Sequence, residues 1–559
     1  MDRLACGVRG AGWSVNPMNV ETMIGRQLCL VAAGLMLLGG SISIVAAPPT
    51  LTVADVNAII GQGAKAALAF SPGAVIAVSD REGYILGVYG VSGPPAGLTV
   101  INAIDKAGAA AYLSSNGEAF TTRTAGFIIG PHFPPGINNV APGPLTGVGL
   151  SSLPFSDVNH FRSPANPAAG IANTSLSGNP GGVPIYKSGV LVGAVGVDSN
   201  TILSALVLDQ GFNTDEAIAL AAQACYQPPE GILATQVLLN GIRLPYVATS
   251  AAGSGAITPV AGNFLAGFPA TASPGHPFQT LFPNPFTDVP GSEVRNQIID
   301  SPVATPVNGQ PRLTAAEVTQ ILRQGAIRAA VTRGAIRTPI GPAQVFIVVI
   351  DYYANLNAPN APPVLGSLRT NDATLFSYDV AAQKARTALF FSNNTMALSS
   401  RGVGFLAQGT YPPGIDGTTA GGYGPPTYGP SNSGYGTVPG VMLFDPPFGL
   451  QTAVSVNPTA PIAVPPNPNP VPTPVPIPTT PINAYLPNGI TVFPGGFPLY
   501  RNGVLIGAVG VSGDGVDQDD IIAASATVGF EAPVSIRSDQ YTYRGARLPY
   551  AKFPQNSSL

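Results

Sequence analysis

The sequence is poor in charged residues and in histidine, and each shortage excludes a class of function. Charged residues make up 9% of 559 residues, and the formal net charge is −3, so the chain has no basic footprint for nucleic acid or for an anionic membrane. All three histidines precede residue 277, which excludes a histidine-dependent acid–base mechanism shared by both halves of the chain. The nucleophile elbow and the common zinc and redox motifs are also missing. These absences favour binding over catalysis.

Cysteine is scarce as well, and the N-terminus indicates an oxidising destination. A positive residue, an apolar run and a series of small residues follow one another between residues 26 and 47. This order is typical of a secretory signal peptide. We therefore expect residues 1–47 to be a signal peptide, with 1–22 as a possible upstream extension, and the mature protein to be periplasmic or extracellular without a membrane span. An uncleaved anchor is the alternative. Cleavage would leave Cys225 as the one cysteine, with no internal disulfide.

Short motifs recur in the same order in the two halves of the chain. The matched pairs are Leu51–Val56 with Leu313–Val318, Lys106–Ala107 with Lys384–Ala385, Arg123 with Arg401, Phe133–Ile137 with Tyr411–Ile415, Gly181–Tyr186 with Gly495–Tyr500, and Arg243–Tyr246 with Arg547–Tyr550. Six matches in one order indicate a tandem duplication.

Each half has the sequence pattern of a mixed α/β unit. A capping box at Thr52 or Thr314 predicts the start of an amphipathic helix. A buried strand then ends in an acid, a second helix is rich in alanine, and a hairpin precedes a final helix. The fold class expected is α/β (α+β), with two tandem domains that each hold a mainly antiparallel sheet flanked by helices. The expected segments are a first domain 48–250, a Pro/Gly-rich linker 251–310, and a second domain 311–559 with low-complexity insertions 421–436 and 465–481.

The hairpin motif carries a family resemblance. Residues 181–197 and 495–511 are identical at 12 of 17 positions and follow the pattern G-G-x-P-[IL]-Y-[KR]-x-G-V-L-[VI]-G-A-V-G-V. With the K-A-x-x-A helix and the strand that ends in Asp, this pattern resembles the GlcG/HbpS-like haem-binding family, also called haem-degrading domains. The resemblance implies a PAS- or profilin-like sheet with helices on its faces, homo-oligomers through these domains, and haem as a cofactor in some members.

Three functions remain open after the resemblance. The leading expectation is an exported protein that binds haem or another small ligand, as a sensor or carrier. The alternatives are a haem-degrading or small hydroxy-acid enzyme and a structural tandem-domain protein without a ligand.

A recurring polar set is the candidate ligand site. It consists of Asp80, Lys106 and Arg123 in the first half and of Asp351, Lys384 and Arg401 in the second. A carboxylate, an ammonium and a guanidinium in apolar surroundings can hold an anionic ligand such as a propionate. The alternative is structural: the two aspartates cap the turn after a strand, and the basic side chains pair with them.

An iron ligand is harder to assign. His132 is the candidate metal ligand of the first half, with a plain loop position as the alternative. The second half holds no histidine, so Tyr411, Met396 and Met442 are its available ligands.

Regularly spaced glycines end the hairpin of each half, at Gly193 and Gly196 and at Gly507, Gly510 and Gly513. Their spacing differs from the dinucleotide-binding motif, so we expect either close packing of the strand against its neighbours or a tight turn at the end of the strand.

Overall fold

The computed structural model describes most of the chain after residue 47. The described residues are 48–129, 133–134, 162–166, 169–171, 176–199, 211–274, 282–337, 341–354, 361–406, 485–486, 491, 493–543 and 545–552. Residues Thr50–Leu559 belong to one compact unit. The predicted signal peptide and the two predicted insertions lie outside the described residues. None of the helices in the described ranges is both long and apolar enough to cross a bilayer.

Helices and strands occur in the same order in the two halves. The α-helices are α1 Val53–Phe70, α2 Leu98–Tyr112, α3 Thr122–Ile129, α4 Thr214–Ala222, α5 Ala315–Val331, α6 Phe376–Phe390, α7 Ser400–Leu406 and α8 Val516–Ala526. The strands are β1 Val75–Asp80, β2 Ile85–Gly90, β3 Gly182–Lys187, β4 Val190–Asp198, β5 Leu238–Leu239, β6 Ile242–Arg243, β7 Glu293–Asn296, β8 Val345–Asp351, β9 Val364–Arg369, β10 Gly496–Arg501, β11 Val504–Gly513, β12 Thr542–Tyr543 and β13 Ala546–Arg547.

Each half is built around one antiparallel sheet. The first sheet has the order β2-β1-β4-β3, and the second has the order β10-β11-β8-β9-β7. Position by position, β9-β8-β11-β10 repeats β2-β1-β4-β3. Two further pairs, β5 with β6 and β12 with β13, are short hairpins. The expected fold class, α+β with mainly antiparallel sheets flanked by helices, is confirmed.

Local sequence signals explain where the elements begin and turn. Thr52 and Thr314 both form the reciprocal capping box that the sequence predicts, with Asp55 and Glu317 as the third helical residues. The β10–β11 turn has Asn502 at φ 50° and Gly503 at φ 78°, the left-handed pair that a tight two-residue hairpin requires.

The stretch predicted as a linker, 251–310, closes an edge of each sheet. Residues 264–271 run along β2: Leu265 N–H donates to the Val88 carbonyl at 2.9 Å, and Thr271 N–H donates to the Leu86 carbonyl at 2.8 Å. In the second sheet β7 pairs with β9 in the same place. Covering these edges removes unpaired backbone groups that would otherwise invite association with another chain.

The hairpin glycines allow the central helix of each half to lie directly on its sheet. An added Cβ at Gly510 would lie 1.9 Å from the Ala381 carbonyl oxygen of α6, and one at Gly196 would lie 2.0 Å from the Ala103 oxygen of α2. Both distances are far below contact distance, so only glycine fits. The structure thus gives these glycines the packing role expected from the sequence.

The two halves meet head to tail. The end of the first sheet where β1 stops faces the end of the second sheet where β8 begins: Asn116 N–H donates to Asp372 at 3.0 Å, and Gly117 N–H donates to the same carboxylate at 2.9 Å. One cluster of buried apolar side chains runs through both halves, from β1 and α2 to β8 and α6. Different surfaces of the two sheets therefore form the contact, which makes it heterologous rather than two-fold symmetric.

Candidate functional site

Lys106 lies on α2 and is buried beneath β4 and the start of α4. Its Nζ donates to Asp198 at 2.9 Å, to Asp215 at 2.8 Å and to the Val197 carbonyl at 2.9 Å. The side chain is 2% exposed. All three ammonium donors are therefore used within the fold.

Lys384 repeats this arrangement on α6 with one carboxylate fewer. Its Nζ donates to Asp519 at 2.8 Å and to the Val511 carbonyl at 2.8 Å, and it lies 4.9 Å from the centre of the Phe493 ring. Burial lowers the pKa of Lys384, and Asp519 partly offsets this. Burial also raises the pKa of Asp519 to about 6.

Arg123 and Arg401 are tied to the helix that follows the hairpin. Arg123 Nε lies 2.7 Å from Glu216 in α4, and Arg401 Nε lies 2.8 Å from Asp520 in α8. Arg401 also reaches Asp517 at 2.7 Å. Each candidate basic residue is thus engaged in a buried ion pair with an acid of α4 or α8, and these acids were not part of the predicted site. Their signal was present: an adjacent pair of acids, Asp215–Glu216 and Asp519–Asp520, recurs near the start of both helices.

Asp80 and Asp351 lie at the ends of β1 and β8 and hold the turns that follow. Asp80 accepts the N–H groups of Glu82 and Tyr84 at 3.0 Å each and the Ser273 hydroxyl at 2.9 Å. Burial, followed by the Glu82 charge, raises the pKa of Asp80 to about 7.

Asp351 accepts from the Tyr352 N–H at 2.8 Å and from Arg312 at 3.1 Å. Lys106 and Arg123 form their ion pairs with other acids, so these contacts do not join Asp80 to them. The same holds for Asp351 in the second half.

Three acidic residues surround Arg337 where the two halves of the chain meet. Arg337 contacts Glu118 at 3.0 Å, Asp372 at 2.7 Å and Asp514 at 2.5 Å. Burial and the Asp514 carboxylate raise the pKa of Glu118 well above its ordinary value. One guanidinium thus faces three carboxyl groups, and a proton on Glu118 relieves their repulsion.

These raised pKa values predict a protein that is most stable in mild acid. A carboxyl group whose pKa is higher in the folded than in the unfolded state contributes stability that is complete below about pH 4 and is lost as the pH rises through the folded pKa. For Asp80 that loss extends to about pH 7. We expect the free energy of unfolding by urea to be lower at pH 8 than at pH 5.

Asp80→Asn should reduce this pH dependence, whereas Asp288→Asn, on an exposed pair with Arg323, should leave it unchanged. Equal or greater stability at pH 8 would contradict the prediction. The pKa values of Asp55, Asp372 and Asp517 are lowered, so stability should fall again below about pH 4.

Three tyrosines form an aromatic cluster beside the end of β8. The ring centres of Tyr352 and Tyr353 lie 5.1 Å apart, and those of Tyr353 and Tyr485 lie 4.8 Å apart. Tyr353 is 2% exposed, and among the residues that the structure describes its hydroxyl has no hydrogen-bond partner. Burial raises the pKa of Tyr353 well above its ordinary value, so the phenol is neutral. A buried hydroxyl without a partner is uncommon, so this phenol is available to donate to a bound molecule.

Several predicted ligands cannot be placed. His132, Tyr411 and Met442 lie outside the described residues. Met396 is half-buried in the turn after α6, where its N–H donates to Asn393 at 2.8 Å. Within the described ranges, no group of three or more His, Cys, Asp or Glu side chains is suited to hold a metal ion.

Residues 452–527 match a family model described as "Haem degrading protein HbpS-like". The described part of this segment includes Tyr485, β10, β11 and α8. The predicted resemblance is confirmed for these residues, and a second copy in the first half stays a prediction. No protein with a curated description is significantly similar in sequence.

Solved structures also resemble parts of the chain. One is described as the crystal structure of a PduOC:haem complex, with 19% identity, 40% of this chain and 97% of that chain covered, and a TM-score of 0.22. Another is the Klebsiella pneumoniae protein ORFY, with 19% identity, 33% and 97% covered, and a TM-score of 0.21.

Proposed function

We propose that the chain binds haem or a related planar small molecule in its second half, next to the tyrosine cluster of Tyr352, Tyr353 and Tyr485. The observation that carries the proposal is the buried, unpartnered hydroxyl of Tyr353. The ring of Tyr353 packs against the ring of Tyr485, which belongs to the segment matched by the haem-degrading family model.

The residues present fit such a ligand. Tyrosine rings supply flat apolar surface for a planar molecule. The neutral Tyr353 phenol supplies a hydrogen-bond donor, and a tyrosine is also among the axial ligands that hold haem iron in proteins. Arg312 fixes this stretch of backbone, because it donates to the carbonyls of Tyr352 at 3.0 Å and Tyr353 at 2.9 Å. Bound haem would supply redox or sensing chemistry, whereas the tyrosine cluster would bind and orient it.

A binding role agrees better with the site than catalysis does. The repeated lysines and arginines are held in ion pairs within the fold. They are therefore engaged already, which does not favour the alternative that they act on a hydroxy acid as part of an enzyme. We also propose, from the pattern of residues 26–47, that the protein acts after export, as a carrier or sensor.

Titration of the full chain with hemin tests the proposal. We expect a saturable Soret shift at micromolar hemin, because aromatic rings together with a phenol donor bind a porphyrin more tightly than polar surface does. No Soret shift would overturn the proposal.

The variant Tyr353→Phe separates binding from folding. It should weaken hemin binding by about tenfold or more, the equivalent of one hydrogen bond to the ligand. In the ligand-free protein it should leave stability unchanged or raise it by up to about 1 kcal/mol, because it removes an unpaired buried hydroxyl. The control Tyr226→Phe, in the first half, removes a hydroxyl that donates to Asp55 at 2.9 Å and should not change hemin affinity. Unchanged hemin affinity in Tyr353→Phe would place the ligand elsewhere.

A further inference from the structure

Three arginines gather where the first half meets the edge of the second sheet. Arg81 follows the end of β1, Arg295 lies in β7, and Arg369 ends β9. Arg295 is completely buried, at 3.0 Å from Glu293 and 3.9 Å from Glu82. Arg369 shares Glu293 at 3.3 Å and donates twice to the Ala373 carbonyl. The two buried arginines, Arg295 and Arg369, are thus paired with the carboxylates of Glu82 and Glu293.

Arg81 differs from the other two. Its guanidinium has no hydrogen bond and no ion pair with any residue that the structure describes, although its backbone is firmly held. Arg81 N–H donates to the Val192 carbonyl at 3.2 Å, and the Asp80 carboxyl fixes the turn by accepting from Glu82 and Tyr84. The side chain is partly exposed, so a small molecule can reach it from solvent.

The positive charge of Arg81 is unfavourable where it stands, because the group is largely removed from water and lies near another arginine. Burial lowers the pKa of Arg81 and the nearby Arg369 lowers it further, while Glu82, Asp372 and Glu293 oppose the shift. Burial and Arg369 lower the pKa of Arg295 to about 10. An arginine does not lose its proton under ordinary conditions, so the charge must be balanced in another way. Asp372 is already held by Arg337, Asn116 and Gly117.

We propose that this junction is a binding site for a small oxyanion, a carboxylate or a phosphate group, held by the Arg81 guanidinium. The planar fork of a guanidinium matches the two oxygens of such a group. The second half has no equivalent of this site. Asp351 occupies the position that corresponds to Asp80, and the residue after it is Tyr352, where the first half has Arg81. The site does not depend on haem or on the tyrosine cluster.

Thermal unfolding of the full chain tests this site. The protein is titrated separately with sodium acetate and with inorganic phosphate, at an ionic strength held constant with chloride. Ligands that bind the folded state raise the unfolding midpoint, and we expect a saturable rise of a few degrees. A rise with acetate alone identifies a carboxylate site, and a rise with phosphate alone identifies a phosphate site. No rise with either anion would overturn the proposal.

Substitution separates a ligand site from a structural contact. In Arg81→Gln the anion-dependent rise should disappear, whereas the exposed control Arg243→Gln should keep it. Without added anion, Arg81→Gln should unfold at the same temperature as the parent chain or a higher one, because no internal partner is lost. A lower midpoint in anion-free buffer, or an undiminished rise with anion, would show that Arg81 does not hold the ligand.

Discussion

Gly510→Ala is expected to destabilise the protein by about 3 kcal/mol or more, at the upper end of the range for overpacked cores. The added Cβ would lie 1.9 Å from the Ala381 oxygen and 2.7 Å from the Ala385 nitrogen. Both are backbone atoms of α6, so no side-chain rotation can relieve the overlap. The helix would have to lift from β11, which would expose apolar surface on both. Unfolding by urea, followed by circular dichroism, measures the loss.

Gly262→Ala is the matched control, because no atom lies within 4 Å of its added Cβ. It should change the free energy of unfolding by less than about 0.5 kcal/mol, as exposed substitutions do. Gly196→Ala should behave like Gly510→Ala, since its Cβ would lie 2.0 Å from the Ala103 oxygen. If the Gly510 variant unfolds at the urea concentration of the parent protein, α6 does not lie against β11 as described.

Lys384→Met is expected to cost about 3–5 kcal/mol, the usual result of removing one partner from a buried ion pair. The methionine fills most of the space, but it leaves Asp519, which is 2% exposed, without its cation. The loss should be smaller at pH 5 than at pH 8, because a proton on Asp519 then replaces the missing charge. Urea unfolding at the two pH values measures both effects.

A second substitution identifies the cause of this loss. Lys384→Met combined with Asp519→Asn should recover much of the stability, since no buried charge then remains uncompensated. Lys65→Met, at an exposed position of α1, should have little effect. If the double variant is as unstable as the single one, lost packing rather than the unpaired carboxylate explains the change.

Local patterns were sufficient for part of the secondary structure, whereas β2, β9, α3 and α7 were not predicted. The two capping boxes, the Asn-Gly turn and the strands that end in Asp80 and Asp351 are all present. Each of these signals depends on hydrogen bonds or steric preferences within a few residues, so the residues next to it in sequence are enough to predict it. The repeated glycines could also be interpreted, because their absent side chains indicate a close approach whichever element makes it.

The chemistry of the site could not be predicted in the same way. Lys106 and Asp80 both recur in the second half, and this recurrence predicted that they share a site. In the structure Lys106 instead pairs with Asp198 and Asp215, each more than 90 residues away. An ion pair between distant residues depends on how α4 lies against the sheet, and no local pattern encodes that. The adjacent acids at the start of α4, which neutralise the buried cations, were not part of the predicted site.

The sequence by itself therefore determined the fold class, the first helix, the strand that ends in an acid, the alanine-rich helix, the β3–β4 and β10–β11 hairpins and the resemblance to haem-degrading proteins. Only the tertiary structure decided that parts of residues 251–310 close the edges of both sheets and that the repeated basic residues are held in internal ion pairs. It also decided that the side chains of Arg81 and Tyr353 have no polar partner in the part of the chain that the structure describes. The reason is physical: whether a polar group is paired depends on every group that reaches it in space, whereas secondary structure depends mainly on its neighbours along the chain.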